Sequence, residues 1–219
     1  IGPIPPAIGG MAALTELNLA NNQLSGAIPA QLGNLANLQR LALANNALTG
    51  AIPPALGGLS NLRSLTLTRN QLSGAIPPEL GNLSQLTALM LNNNRLTGEI
   101  PAALGNLGAV FEIWLNSNAL SGAVPDSLCN PTGLFFLDLG YNSLSRAPWC
   151  MAMLDPFWYE TQTVAPANLT AALAATQATL SWTPIAYQGK TGYYEISYRP
   201  VGGTFTVHGV TANKSVSSY

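Results

Sequence analysis

Charge is what this chain has least of. Lys, Arg, Asp and Glu make up 8% of its 219 residues, eight basic against nine acidic, for a formal net charge of −1. Ordinary soluble domains carry roughly 25%. A surface this neutral has no general attraction for nucleic acid or for an anionic membrane. Histidine is nearly missing as well. His208 stands alone, in a segment that reads as a strand, so neither an acid–base pair nor a metal shell can be built around it. Serines, cysteines and carboxylates occur without a base beside them in any catalytic arrangement, and the glycines follow no phosphate-loop pattern. No enzymatic activity, cofactor or metal is expected. No apolar run approaches the roughly 18 residues needed to span a bilayer. No basic segment followed by an apolar one opens the chain, so a signal peptide is absent or already removed.

Cysteine is scarce too, with Cys129 and Cys150 only. As a disulfide they would close a loop of about 20 residues, contribute roughly 3 kcal/mol in the chain-entropy model, and place the protein in an oxidising compartment. The alternative is a pair of buried free thiols. Hydrophobic residues are plentiful at 47%, and Asn, Gln, Ser and Thr supply the polarity that charges do not. That neutral, polar surface suits an extracellular setting.

What fills the chain is one pattern repeated. Leu14, Leu38, Leu62, Leu86, Val110 and Leu134 recur at one fixed interval, as do Asn22, Asn46, Asn70, Asn94, Asn118 and Asn142, and Pro29 through Pro125. A fixed period of this length means stacked structural units. Residues 62–85, LRSLTLTRNQLSGAIPPELGNLSQ, show the unit. Leu65 and Leu67 alternate as a half-buried strand requires. Asn70 sits where the strand ends, and its short amide can bond turn and neighbouring coil, making a ladder when copies stack. Leu72 re-enters the core, Gly74 allows positive φ, and Ile76-Pro77 forces extended chain. Leu80 and Leu83 suit one short helical or 3₁₀ turn, broken by Gly81. Such a coil buries its apolar edge only against a neighbour.

The motif LxxLxLxxNxLSGxIPxxLGxLxx resembles the leucine-rich repeat, in the 24-residue form common in plant receptor ectodomains. The resemblance covers residues 1 to about 150, starting with a half-copy from Ile1 to Gly9. It implies a right-handed solenoid of α/β type, mostly β, with a parallel sheet on its concave face. The chain begins in mid-repeat, without the family's cysteine-containing first cap, so Ile4, Ile8 and Met11 are expected to face solvent or a missing upstream coil. At the other end, Met151 to Tyr159, with Met153, Leu154, Phe157 and Trp158, reads as an apolar lid over the last coil.

From Thr161 the period vanishes. Segments 167–172, 178–183, 192–199, 204–210 and 215–219 read as strands separated by turn residues. The stretch APANLTAALAATQATLSWTPIAYQGKTGYYEISYRP is similar to the opening of a fibronectin type III domain, which implies an all-β sandwich with Trp182 in its core and Tyr194, Ile196 and Tyr198 on its third strand. It stops after about five of seven expected strands, without the tyrosine corner of such folds. Either the chain continues or another chain supplies the rest. The expected domains are a solenoid with its cap at 1–160 and a partial fibronectin type III-like sandwich at 161–219.

In the leucine-rich-repeat family the concave face commonly contacts ligands through variable positions flanking the strand leucines. One such column here runs Glu16, Arg40, Ser64, Ala88, Glu112, Phe136, and the next Asn18, Ala42, Thr66, Met90, Trp114, Asp138. A further column ends in Tyr141. Small polar residues dominate upstream, whereas aromatics gather downstream. Exposed apolar clusters mark contact surfaces, and Trp and Tyr are favoured anchors. Met90, Glu112, Trp114, Phe136, Asp138 and Tyr141 are therefore the candidate ligand patch, its rival explanation being an internal contact with the lid or sandwich. Phe111 and Phe135, second in their repeats, read as partly core. Three sequons, at Asn82, Asn168 and Asn213, are candidate glycosylation acceptors in a secreted eukaryotic product. The expected function is secreted or cell-surface recognition or adhesion, with a protein, peptide or glycan partner. The alternative is self-association into an extracellular fibre through end-to-end contacts.

Overall fold

The computed structural model describes residues 2–154 and, beyond them, four strands at 167–173, 178–183, 195–198 and 206–210. Phe157, Trp158, Tyr194, Asn213 and segment 215–219 lie outside the described residues. The chain divides into two compact units, 1–162 and 163–219.

Among the described residues of the first unit each full coil contributes two strands, and the twelve alternate between two parallel sheets. The odd-numbered strands β1 (Glu16–Asn18), β3 (Arg40–Ala42), β5 (Ser64–Thr66), β7 (Ala88–Met90), β9 (Glu112–Trp114) and β11 (Phe136–Asp138) make one six-stranded sheet in sequence order. Each residue pairs with its equivalent one full repeat on, Glu16 with Arg40 and Leu41 with Leu65. Equivalent positions of successive coils therefore stand side by side. The middle residue of each strand points into the coil and is buried, as at Leu41, Leu65 and Ile113, while the residues flanking it face outward.

A second sheet goes beyond the expected single one. It consists of β2 (Ser25–Ala27), β4 (Ala47–Gly50), β6 (Gln71–Gly74), β8 (Arg95–Gly98), β10 (Ala119–Ala123) and β12 (Ser143–Arg146). Here the partners stand slightly less than a full repeat apart, Ser25 with Ala47 and Ala27 with Thr49. The Leu-x-Gly segment carries it: Leu72 is buried, Gly74 turns the chain with φ +78°, and Pro77 is extended again. So brief an alternation is too short to announce a strand from sequence.

Pro77 opens a 3₁₀ turn, Pro78–Asn82, that buries Leu80 and Leu83 completely. The turn runs through Gly81 instead of breaking there. Gly81 serves packing: a Cβ on it would lie 2.2 Å from the carbonyl oxygen of Ala103 in the next coil. Gly33, Gly57 and Gly105 repeat the arrangement with approaches of 2.3–2.4 Å. The glycine lets successive coils close up where any side chain would hold them apart.

The asparagine ladder is present. Asn94 Nδ2 donates to the carbonyls of Leu91 (3.0 Å) and Asn92 (3.4 Å) in its own turn and of Leu67 (3.0 Å) in the coil before. Its Oδ1 accepts from the backbone N–H of Leu72 at 3.1 Å. Asn46, Asn70, Asn118 and Asn142 repeat the same set. The residue before each ladder asparagine turns left-handed, φ 54–57°, at Asn21, Asn45, Arg69, Asn93, Ser117 and Tyr141.

Both ends modify the pattern. Ile4 is buried, contrary to expectation, because Gly2 bridges Leu24 and extends the second sheet by part of a coil. Ile8 is half-buried, and Met11 is exposed as expected. At the far end Cys129 takes the repeat position that Gly105 holds one coil earlier. A side chain there points at whatever follows the stack, and Cys129 is bonded to Cys150, with 5.7 Å between Cα atoms. Helix α1 (Met151–Leu154) lies against β11, and Met151 is buried. Within the expected lid Met153 is 80% exposed and Leu154 half-buried, and the part beyond Leu154 lies outside the described residues.

In the second unit β13 (Ala167–Leu173) pairs antiparallel with β14 (Ala178–Thr183), and β15 (Glu195–Tyr198) with β16 (Thr206–Val210). Trp182 belongs to β14, Ile196 and Tyr198 to β15, and His208 to β16.

Candidate recognition surface

The outward face of the odd-numbered sheet is a grid with one row per strand position. In one row Thr66, Met90, Trp114 and Asp138 are successive lateral neighbours; in the other, Ser64, Ala88, Glu112 and Phe136. Five of the six candidate patch residues, Met90, Glu112, Trp114, Phe136 and Asp138, therefore fall on three adjacent strands. Trp114 and Phe136, diagonal neighbours, stack with ring centroids 4.5 Å apart and planes inclined by 28°. The other diagonal holds the two carboxylates. The four side chains make a checkerboard of acid and ring.

Hydrogen bonds fix its orientation. The indole Nε1 of Trp114 donates to Glu112 Oε2 at 3.0 Å. Asp138 Oδ1 accepts from the backbone N–H of Gly140 at 3.0 Å. Neither carboxylate forms an ion pair among the described residues. On the next strand, Thr66 points its hydroxyl at the Met90 sulfur, 3.9 Å away. Asn116, just beyond Trp114, has a buried side-chain oxygen without a hydrogen-bond partner among the described residues.

Tyr141 stands apart. It occupies the left-handed position of the last turn, is 60% exposed, and stacks on no other ring among the described residues. Phe111 and Phe135 correct the sequence reading in the other direction. They immediately precede β9 and β11, are 54% and 72% exposed, and stack on each other at 5.4 Å with planes 11° apart. Leu14 and Leu38 open their repeats and Phe111 follows such a position, so it reads as near-core. The preceding members of its column, Gln39, Arg63 and Thr87, are polar and exposed, and that column is the available signal.

The upstream half of the same face differs in kind. A shallow hollow of about 350 Å³ is lined by Thr15, Glu16, Gln39, Arg40, Arg63, Ser64 and Thr87. Arg40 meets Glu16 at 3.3 Å with both side chains at least half exposed, a pairing that stabilises by well under about 1 kcal/mol. Of the sequons, Asn82 is exposed at the end of a 3₁₀ turn, Asn168 lies in β13, and Asn213 is outside the described residues. Among the described residues no cluster of His, Cys, Asp and Glu is arranged to hold a metal, and no helix is long and apolar enough to cross a membrane.

Stacked coils with a buried aliphatic interior and paired parallel sheets define a repeat solenoid. The profile of the leucine rich repeat family matches residues 7–72 and 82–144. The chain belongs to the leucine-rich repeat family. No curated protein matches it. Among solved structures it is similar to a plant peptide hormone receptor, RGFR1 in complex with RGF2, at 40% identity and TM-score 0.68, covering 75% of this chain and 26% of that one. The ectodomain of the Arabidopsis receptor kinase HAESA, in complex with a peptide hormone ligand, is 42% identical at TM-score 0.62, covering 65% and 24%. A plant ice-binding protein is 38% identical at TM-score 0.62, covering 65% and 46%. The chain thus spans about a quarter of the length of these receptors and under half that of the ice-binding protein. Neighbours this different in ligand leave function to be argued from the site.

Proposed function

We propose that the chain is an extracellular recognition module that binds a peptide or an extended protein segment on the outward face of the odd-numbered sheet, over its last three strands. Met90, Glu112, Trp114, Phe136 and Asp138 form the contact surface, and Tyr141 borders it. The observation that carries this reading is the partly exposed Trp114–Phe136 stack, set where the positions equivalent to Trp114 hold Asn18, Ala42 and Thr66 upstream and those equivalent to Phe136 hold Glu16, Arg40 and Ser64. A rigid, flat aromatic pair gives large contact area at little entropic cost, the property of binding hot spots. Similarity to ectodomains solved with peptide hormones supports a peptide-class ligand, and the Cys129–Cys150 bond supports an oxidising compartment. The antiparallel pairs of the second unit support a β-rich companion domain, and its fibronectin type III kind is read from the sequence alone. The test is selection of linear peptides from a displayed library on the full chain, followed by titration of the best binder. Trp114→Ala and Phe136→Ala are expected to weaken it at least tenfold, and unchanged affinity in both would remove this surface from consideration.

A further inference from the structure

The checkerboard says more about its ligand than that it is extended. Stacked rings alone would suit any apolar group, and carboxylates alone would be an ordinary solvated edge. Here the two alternate. Glu112 and Asp138 occupy the corners that Trp114 and Phe136 leave, on adjacent strands locked in register. Both acids are held in place, one by the indole N–H and the other by a backbone N–H, and each keeps one oxygen uncommitted among the described residues. Neither has a cationic partner there, in a chain with eight Lys and Arg in all. Two acids without a cationic partner among the described residues, flanking a partly exposed aromatic stack, form a surface complementary to a cation that is also flat.

A guanidinium is such a group. Its plane stacks on aromatic faces, it is more weakly hydrated than an ammonium, and its edge N–H groups fork onto carboxylates. Resting on the proposed recognition surface, we propose that this site reads an arginine side chain of an extended peptide, the guanidinium lying on the Trp114–Phe136 stack and donating to Glu112 and Asp138. An ammonium would satisfy the acids but forgo the stacking. An apolar side chain would use the rings and leave the acids where they are.

The experiment uses the full chain and a displayed library of linear peptides, selected in parallel on the wild type and on Glu112→Gln/Asp138→Asn. That double variant keeps side-chain volume, and the introduced glutamine retains an acceptor for the indole. Circular dichroism confirms its fold before selection. The expected result is arginine enriched at one fixed position in wild-type selections and lost in the variant's. The best arginine peptide should bind the variant at least tenfold more weakly, and raising salt should weaken its binding to the wild type. Wild-type selections without arginine, or with lysine enriched equally at that position, overturn the inference. Peptides that depend on Trp114 but ignore the acid pair also overturn it while leaving the recognition surface standing. Indifference to Trp114→Ala and Phe136→Ala removes both.

Discussion

One amide at Asn94 joins two coils through four hydrogen bonds, three given and one received. Replacing it by alanine leaves the Leu72 N–H without that partner in a part-buried turn, while the carbonyls of Leu67, Leu91 and Asn92 keep a donor each from Asn70, Asn118 and the Arg69 N–H, and an orphaned buried group costs about 1–3 kcal/mol. Asn94→Ala is expected to destabilise the solenoid by about 2–3 kcal/mol in urea titration. The side chain of Asn22, at the same repeat position, bonds only the carbonyls of Leu19 and Ala20 among the described residues and is exposed. Asn22→Ala should cost under about 1 kcal/mol, and equal losses at the two positions would show that bonding between coils is not what the ladder contributes. Gly81 gives a second contrast. With a Cβ placed 2.2 Å from a backbone oxygen, Gly81→Ala must push coils apart and should cost roughly 2–3 kcal/mol. Gly108→Ala, where no atom lies within 4 Å, should change the urea midpoint little.

At this scale the sequence is legible for the asparagines, whose regular recurrence fits only a repeated backbone role. It misleads at Gly81, since a glycine beside a helical turn looks like a breaker. Its actual job depends on Ala103, a neighbour in the following coil. Ile4 departs from expectation for a related reason, because a half-copy of the repeat still supplies Gly2 to pair with Leu24.

At the scale of elements, the strands of the odd-numbered sheet and the 3₁₀ turns are readable from alternation and from Leu80/Leu83 spacing. The even-numbered sheet is not. Its strands are defined by hydrogen bonds between coils at an offset shorter than the repeat, as where Ser25 meets Ala47, and the sequence period does not display that offset. The last coil is held by a different device. Among the described residues no further coil stacks on it, and Cys129 stands where its predecessors have a glycine, bonded across 21 residues to Cys150. Opening that bond should lower stability by about 3 kcal/mol. The loss should show as faster amide exchange in β11 and β12 on adding reductant. Uniform acceleration through β1 to β12 would mean that the bond serves the whole stack and does not close its end.

For the whole molecule, the solenoid is a series of nearly interchangeable coils, and function depends on where the series stops being uniform. The grid of the odd-numbered sheet passes from Asn, Ala and Thr on β1, β3 and β5 to Met, Trp and Phe on β7, β9 and β11. That change is visible in the columns of the sequence. The stack of Trp114 on Phe136 and the clasp of Glu112 on the indole are not, because both depend on diagonal and same-strand geometry within a folded sheet. The most direct test of the account is an alanine scan of the outward residues of all six odd-numbered strands, measured as the affinity of one selected peptide by calorimetry. Losses of tenfold or more confined to β7, β9 and β11 are predicted. Losses concentrated on β1, β3 and β5, with Trp114→Ala and Phe136→Ala at wild-type affinity, would contradict it.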